Sequence, residues 1–352
     1  MPLSATPDFE FLEHHSGQLP DASVPLCLFL VHNELNILPD FFAHYRGFGP
    51  ISFIAIDDRS TDGTREYLEG QPDVSIFMPK PGSTYAHHKR AWRKEPLDRF
   101  GIGRWCLVPD VDEHLVWQRA ETRPFTRLLA DLEAEGAEGM AATMVDMYAN
   151  RPIAEHVSSG RRLIDDFPLF DDPEKDPLAY RLQMSKPSFH KKFGTPDMIA
   201  TGGMRDRIFF QRRASHNVLG NRLLRNSIRK SRTPKGPAYV RERILATITH
   251  KWQRRPPLNL TKLPLLRWRA GMKFNGGAHH VSLRIPLSLE HGVLMHFALT
   301  RGTEGIRYIV ERGQHAFQAD YYRAMSEYSH INPVYSGTSS YFGTPSFRVF
   351  FV

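Results

Sequence analysis

The sequence predicts an α/β fold: a doubly wound, mostly parallel sheet with helices on both faces and a less regular C-terminal part. Three observations predict it. Pro25–Val31, Ile51–Ile56 and Arg104–Val108 contain continuous apolar runs of strand length, the pattern of strands buried on both faces. Helical segments separate the first runs, so strand, helix, strand, helix recurs over roughly the first 120 residues. Each run also stops at acids: Asn33-Glu34, Asp57-Asp58, and Asp110-Val-Asp112-Glu113.

Taken in order, residues 1–23 lack periodicity and read as an irregular arm. After the first strand a helix runs to about Arg46, with Leu38, Phe41, Phe42 and Tyr45 on one face and Gly47 ending it. Asp62 caps a short helix through Leu68, and Val74–Met78 is a third strand. Pro124–Glu135 is an amphipathic helix with Phe125, Leu128, Leu129 and Leu132 at helical spacing, and Met140–Met147 is a further strand. These elements form a half spanning 24–150. Beyond it, 151–300 is expected to be an acceptor half with a basic insertion at about 207–289. Within that half, Asp165–Pro177 is rich in acids and prolines and reads as an exposed loop. The last part, 301–352, holds helices at Gly305–Gln314 and Ala316–Tyr328 and an aromatic tail.

Composition excludes several classes. No apolar run approaches the ~20 residues of a membrane span, and the first twenty residues lack the basic start and apolar centre of a signal peptide. The two cysteines, Cys27 and Cys106, fall inside strands and read as small core residues, which fits a reducing cytoplasm. The net charge of +8 is unevenly spread: residues 207–289 hold 19 Lys and Arg against Glu242 alone. Such a block suits a polyanionic partner. Leu219–Lys230 could form a basic amphipathic helix at an anionic membrane face, and Trp252 and Trp268 could form a sugar-stacking wall.

The acids at the strand ends carry the chemistry. Asp110 and Asp112 are two apart, so on extended chain they face the same way. Two hard oxygen ligands at a strand end suit Mg²⁺ or Mn²⁺, which leave room for phosphates; a solvated acidic turn is the plainer alternative. Asp57 and Asp58 could accept hydrogen bonds from ribose hydroxyls or a base imide. Capping explains Asp62 but not the doubled acid before it.

Taken together, Val31-His-Asn-Glu34, Ile56-Asp-Asp-Arg-Ser-Thr-Asp-Gly-Thr64 and Trp105-Cys-Leu-Val-Pro-Asp-Val-Asp-Glu113 resemble the nucleotide-sugar half of bacterial family 2-like glycosyltransferases with the GT-A fold. A looser likeness continues through Thr201–Arg207, Leu263–Trp268 and Leu294–Phe297. The resemblance implies a nucleotide-sugar donor, a glycan or lipid-linked acceptor, a divalent cation (Mn²⁺ or Mg²⁺) and inverting transfer in polysaccharide or glycoconjugate synthesis. It puts Asn33 and Glu34 in the nucleoside pocket, Asp58 on the base or ribose, Asp110 on ribose or metal-bound water, and Asp112 on the cation. His296, at the end of Gly292–His296, is the best match for the histidine that completes the metal shell, with His279 and His280 as rivals. Lys89, Arg205 and Arg207 are candidates to neutralise the leaving diphosphate, and Asp206, Glu113 and Asp146 are candidates for the base. Glycines 202 and 203 favour Asp206, because they let backbone approach a ligand.

The expected setting is cytoplasmic, with peripheral contact at the inner membrane face and no nucleic acid. The competing readings are a nucleic-acid-binding protein using the 207–289 block, which leaves the three acidic strand ends unexplained, and a lapsed binding module of the same fold.

Overall fold

The computed structural model describes residues 7–184, 192–209, 258–312 and 325–351, with three single positions, Pro237, Val240 and Ile244. The proposed basic helix at 219–230, Trp252 and most of the 316–328 helix lie outside the described residues.

The first strand, β1 (Leu12–Ser16), lies in the stretch read as an irregular arm; it adds an antiparallel edge to β4. The apolar runs then appear where expected: β2 (Leu26–Val31), β3 (Ser52–Asp57), β4 (Val74–Pro79) and β5 (Trp105–Leu107). Helix α1 (Leu38–Arg46) buries Leu38, Phe41, Phe42 and Tyr45. Gly47 stays right-handed, and the left-handed turn falls at Gly49 (φ +108). Asp62 accepts from the Thr64 amide (3.0 Å) and hydroxyl (2.6 Å) at the start of α2 (Thr64–Glu69). Helix α3 (Tyr85–Pro96) has no apolar stripe and was not foreseen.

A four-residue strand, β6 (Glu113–Val116), follows the acidic turn, then α4 (Phe125–Ala134) and β7 (Gly139–Asp146). The acid- and proline-rich stretch is an exposed turn only over its second half, 172–177; its first half is structured. It forms α5 (Leu163–Asp166) and β8 (Leu169–Asp171), with Phe167 and Phe170 in the core and Asp171 buried against Arg207 at 2.8 Å and the Tyr148 hydroxyl at 2.8 Å. Next come β9 (Tyr180–Met184), β10 (Met198–Gly202), α6 (Gly203–Phe209), β11 (Thr261–Arg267), β12 (Gly292–His296), α7 (Gly302–Arg312) and β13 (Thr338–Ser340).

The architecture is the expected α/β one. Nine strands form one sheet in the order β1-β4-β3-β2-β5-β11-β7-β12-β6. β2, β3, β4, β5, β7 and β12 run one way, and β1, β11 and β6 run against them. Side chains alternate across the sheet. Cys27, Phe29 and Val31 join α1, α2 and α4 in one core cluster, while Leu26, Leu28 and Leu30 join α3 and Trp268 in the other. Both cysteines are free and fully buried. Trp268 is also fully buried, donating to Asp98 at 2.8 Å, so it is a core residue and not part of a sugar-stacking wall.

Strand order reverses between β2 and β5, the switch point at which open α/β sheets bind ligands beyond their carboxyl ends. All three acidic stretches lie there.

One buried histidine sets an acid limit on this fold. His156 is 0 % exposed, its ring centroid is 5.6 Å from that of Phe167 in a tilted arrangement, and its Nε2 is 3.1 Å from the Arg151 carbonyl. Burial, aided by the Arg151 charge and opposed by that hydrogen bond, lowers its pKa from 6.5 to about 4. The unfolded chain therefore takes up the proton first, and stability falls as pH drops from about 6.5 towards 4. Between pH 7 and 4.5 the loss from His156 is about 2–3 kcal/mol. Urea denaturation at the two pH values should show a smaller acid loss in His156→Phe than in the parent; equal losses would rule the assignment out.

Candidate active site

Strand pairing itself assembles the site. His296, the last residue of β12, is in register with Glu113 on one side and Asp146 on the other. Residues paired directly across strands share a face, so the three side chains stand in a row. The chain between β5 and β6 turns back, with the Glu113 amide donating to the Asp110 carbonyl (3.1 Å) and the Asp110 amide donating to the Glu113 carboxylate (3.0 Å). The Phe297 amide donates to the Asp112 carbonyl at 2.8 Å, which fastens this turn to β12. Asp112, Glu113 and His296 then bring one ligand atom each within 4.8 Å of one another.

Asp146 orients the histidine. Its carboxylate is 2.8 Å from His296 Nδ1, which leaves Nε2 3.3 Å from Asp112. This is the carboxylate–histidine pairing that fixes ring orientation in metal sites. Two carboxylates and an imidazole suit Mn²⁺ or Mg²⁺ in donor type, Mn²⁺ the better for its tolerance of nitrogen. Burial and the Arg205 charge oppose protonation of His296, but Asp112 and Asp146 prevail and raise its pKa to about 9. Burial raises the Asp146 carboxyl, yet Arg205, in an ion pair at 2.9 Å, and His296 bring it down to about 2.

A second ionic group stands beside the first. Lys262 on β11 is 2 % exposed and pairs with Asp110 and, at 2.6 Å, with Glu113. Arg93 on α3 adds a 3.1 Å contact to Asp110. Burial opposes the charged forms of both partners, but the pairing wins: the Lys262 ammonium is held well above its ordinary range and the Asp110 carboxyl well below.

Asp110, Asp112, Glu113, Lys262 and His296 line a cavity of about 290 Å³ at the strand ends, together with Glu34, Asp58, Arg205, His279, Tyr308 and Arg312. Burial, reinforced by Asp112, raises the Glu34 carboxyl to about 8.

The candidates separate accordingly. Glu34, Asp58, Asp110, Asp112, Glu113, Arg205 and His296 all line the cavity. Asn33 and Asp57 do not; both hold the β3–α2 turn. Asp57 is fully buried and accepts from the Ser60 amide (3.0 Å) and Arg65 (2.8 Å), while Asn33 accepts from the Thr61 amide at 2.6 Å. Lys89 lies over the Tyr85 ring at 4.6 Å, outside the cavity lining. Arg207 is committed to Asp171 and packs on Tyr335 at 3.9 Å. Of the three acids considered as base, only Glu113 lines the cavity, and it is paired with Lys262. Asp146 and Asp206 are buried off the lining. His279 lines the cavity but stands outside the Asp112–Glu113–His296 group, and His280 does neither.

Sequence reasoning missed Lys262, Arg93, Tyr308 and Arg312. Lys262 left one signal, a single lysine inside the run Leu260-Thr-Lys-Leu-Pro-Leu-Leu266. Arg312 left none, because one arginine on an exposed helix reads as surface.

Neither a family model nor a curated protein matches the chain. Solved structures resemble parts of it. The crystal structure of S. aureus TarS aligns at 12 % identity and a TM-score of 0.28, covering 41 % of this chain and 29 % of that one. A putative glucose-1-phosphate thymidylyltransferase from Bacillus anthracis, in complex with a sucrose, aligns at 9 % identity and a TM-score of 0.20, covering 38 % and 57 %. The chain thus spans less than two thirds of either structure. No helix among the described residues is long and apolar enough to cross a membrane.

Proposed function

We propose that the chain is a cation-dependent glycosyltransferase, moving a sugar with inversion from a nucleotide-sugar donor to a glycan or lipid-linked acceptor. The observation that carries this reading is the group Asp112, Glu113 and His296, within 4.8 Å at the strand ends and opening on the cavity that Asp58 and Glu34 share. Asp112 and His296 would hold the cation, with Asp146 fixing the imidazole. Asp110 stays in an outer position, since Lys262 and Arg93 already claim its oxygens.

A nucleoside diphosphate leaves with growing negative charge, which a divalent cation stabilises as a Lewis acid. Asp58 and Glu34 would meet the nucleoside: a carboxylate accepts from ribose or base, and a protonated carboxyl also donates. Arg205 keeps a positive charge at the cavity wall while balancing Asp146.

Isothermal titration with UDP, GDP and CDP, each with and without Mn²⁺, tests this. One nucleotide should bind only with Mn²⁺, and Asp112→Ala should abolish that binding. Binding of tRNA or DNA with no response to any nucleotide would overturn the reading. Nucleotide binding with no turnover of any nucleotide-sugar would instead identify a binding module.

A further inference from the structure

The nucleoside end of the cavity is not simply open. Asp58 is engaged on both carboxylate oxygens: Arg59 pairs with Oδ1 at 2.9 Å and Arg312 with Oδ2. These pairs take up part of the acceptor capacity of a carboxylate that is only 7 % exposed, so a ribose or base must compete with the arginines for it.

The two arginines are held very differently. Arg59 also donates to the carbonyls of Pro79 (3.2 Å), Lys80 (3.2 Å) and Ser83 (3.0 Å), so its guanidinium is fixed by backbone. Arg312 makes no other hydrogen bond among the described residues; it lies 5.8 Å from the Tyr85 ring and also acts electrostatically on His32 and Glu34. It sits at the end of α7, whose start is anchored by backbone. The Gly302 amide donates to the His156 carbonyl at 2.7 Å, and a Cβ at Gly302 would meet the Ala154 carbonyl at 2.4 Å. One turn before Arg312, Tyr308 makes a polar contact with His32 and accepts from Asn33 at 3.2 Å. The start of the helix is therefore held by backbone, while Tyr308 and Arg312 are held by ionic and polar groups that line or border the cavity.

We infer that Arg312 is an exchangeable counter-ion: it neutralises Asp58 in the empty site and transfers to the phosphates of an incoming nucleotide, freeing Asp58 for the nucleoside. The inference rests on the nucleotide-binding reading above. The exchange conserves charge, because Arg312 leaves one anion only when another arrives. It also makes the site select phosphorylated ligands, since a bare nucleoside offers Arg312 no anion in return for Asp58.

The test compares Arg312→Gln with the parent protein by isothermal titration in Mn²⁺ buffer, using UDP, GDP and CDP beside uridine, guanosine and cytidine. For whichever base binds, the diphosphate should lose about tenfold or more in affinity, as for one charged hydrogen bond, and the nucleoside should gain several-fold. Changes of opposite sign are the signature. Both ligands moving the same way, or neither moving, would overturn the exchange while leaving the nucleotide-binding reading in place. If no nucleotide binds even the parent, both fall. Arg312→Lys, which keeps the charge, should restore part of the diphosphate affinity, and an unchanged melting temperature in both variants excludes misfolding as the cause.

Discussion

Replacing Lys262 with methionine should lower stability by about 3–5 kcal/mol, the usual result of removing one partner from a buried ion pair. Methionine retains the bulk and loses the charge, so Asp110 and Glu113 would be left facing each other in a site where Lys262 was 2 % exposed. Asp110 keeps Arg93, but Glu113 keeps only its contact with the Asp110 amide. Urea denaturation measures the loss directly. The double variant Lys262→Met with Glu113→Gln should recover at least about 1 kcal/mol relative to additive behaviour, because the second change removes the stranded buried charge. A single-variant loss below about 1 kcal/mol would show that the pair is well solvated and that its burial has been overstated.

The second large effect concerns the cation. His296→Ala should remove most Mn²⁺ affinity, measured by titration without nucleotide on protein whose circular dichroism shows it still folded, although loss of its ion pairs with Asp112 and Asp146 lowers the melting temperature. Asp146→Asn should weaken Mn²⁺ by about 10–100-fold without touching a ligand atom, as loss of an orienting carboxylate typically does. Asparagine can still accept from His296 Nδ1 but no longer balances Arg205, 2.9 Å away. Unchanged Mn²⁺ affinity in His296→Ala would remove this histidine from the site.

The parts of the fold legible in the sequence are those where burial and local pattern agree. β2, β3 and β4 are apolar runs because both faces of the strands are covered, and α1 and α4 carry their buried residues at helical spacing. The parts that were not legible break one of those conditions. β1 is an edge strand, Leu-Glu-His-His-Ser, with polar residues on its open side. Among the described side chains of α3, Trp92, Arg93 and Pro96 are the buried ones, and Arg93 is there to serve Asp110. β11 carries a lysine and a proline inside a buried strand, with its pairing to β7 irregular between Lys262 and Leu265.

The site shows the same division. Carboxylates at strand ends are visible because they interrupt apolar runs, and His296 because such a run delivers it. The distinction between Asp57 and Asp58 is invisible in sequence, since neighbouring residues on a strand point opposite ways and only the turn's hydrogen bonds decide which one meets the cavity. Arg205 was among the candidates, but Lys262, Arg93 and Arg312 were hidden because each comes from an element remote from the strand-end acids.

That distance has a consequence for the chain as it is made. Asp110 leaves the ribosome 152 residues ahead of Lys262, and β5 must wait just as long for β11, its partner in the finished sheet. At about 5–20 residues per second, the acids wait for Lys262 and one side of β5 stays open for roughly 8–30 seconds of synthesis. A product broken off within that interval would carry the acidic turn with Arg93 but without Lys262. Such a fragment is a natural client for chaperones and proteases, and the same long-range pairing that builds the site also reports whether synthesis has passed β11.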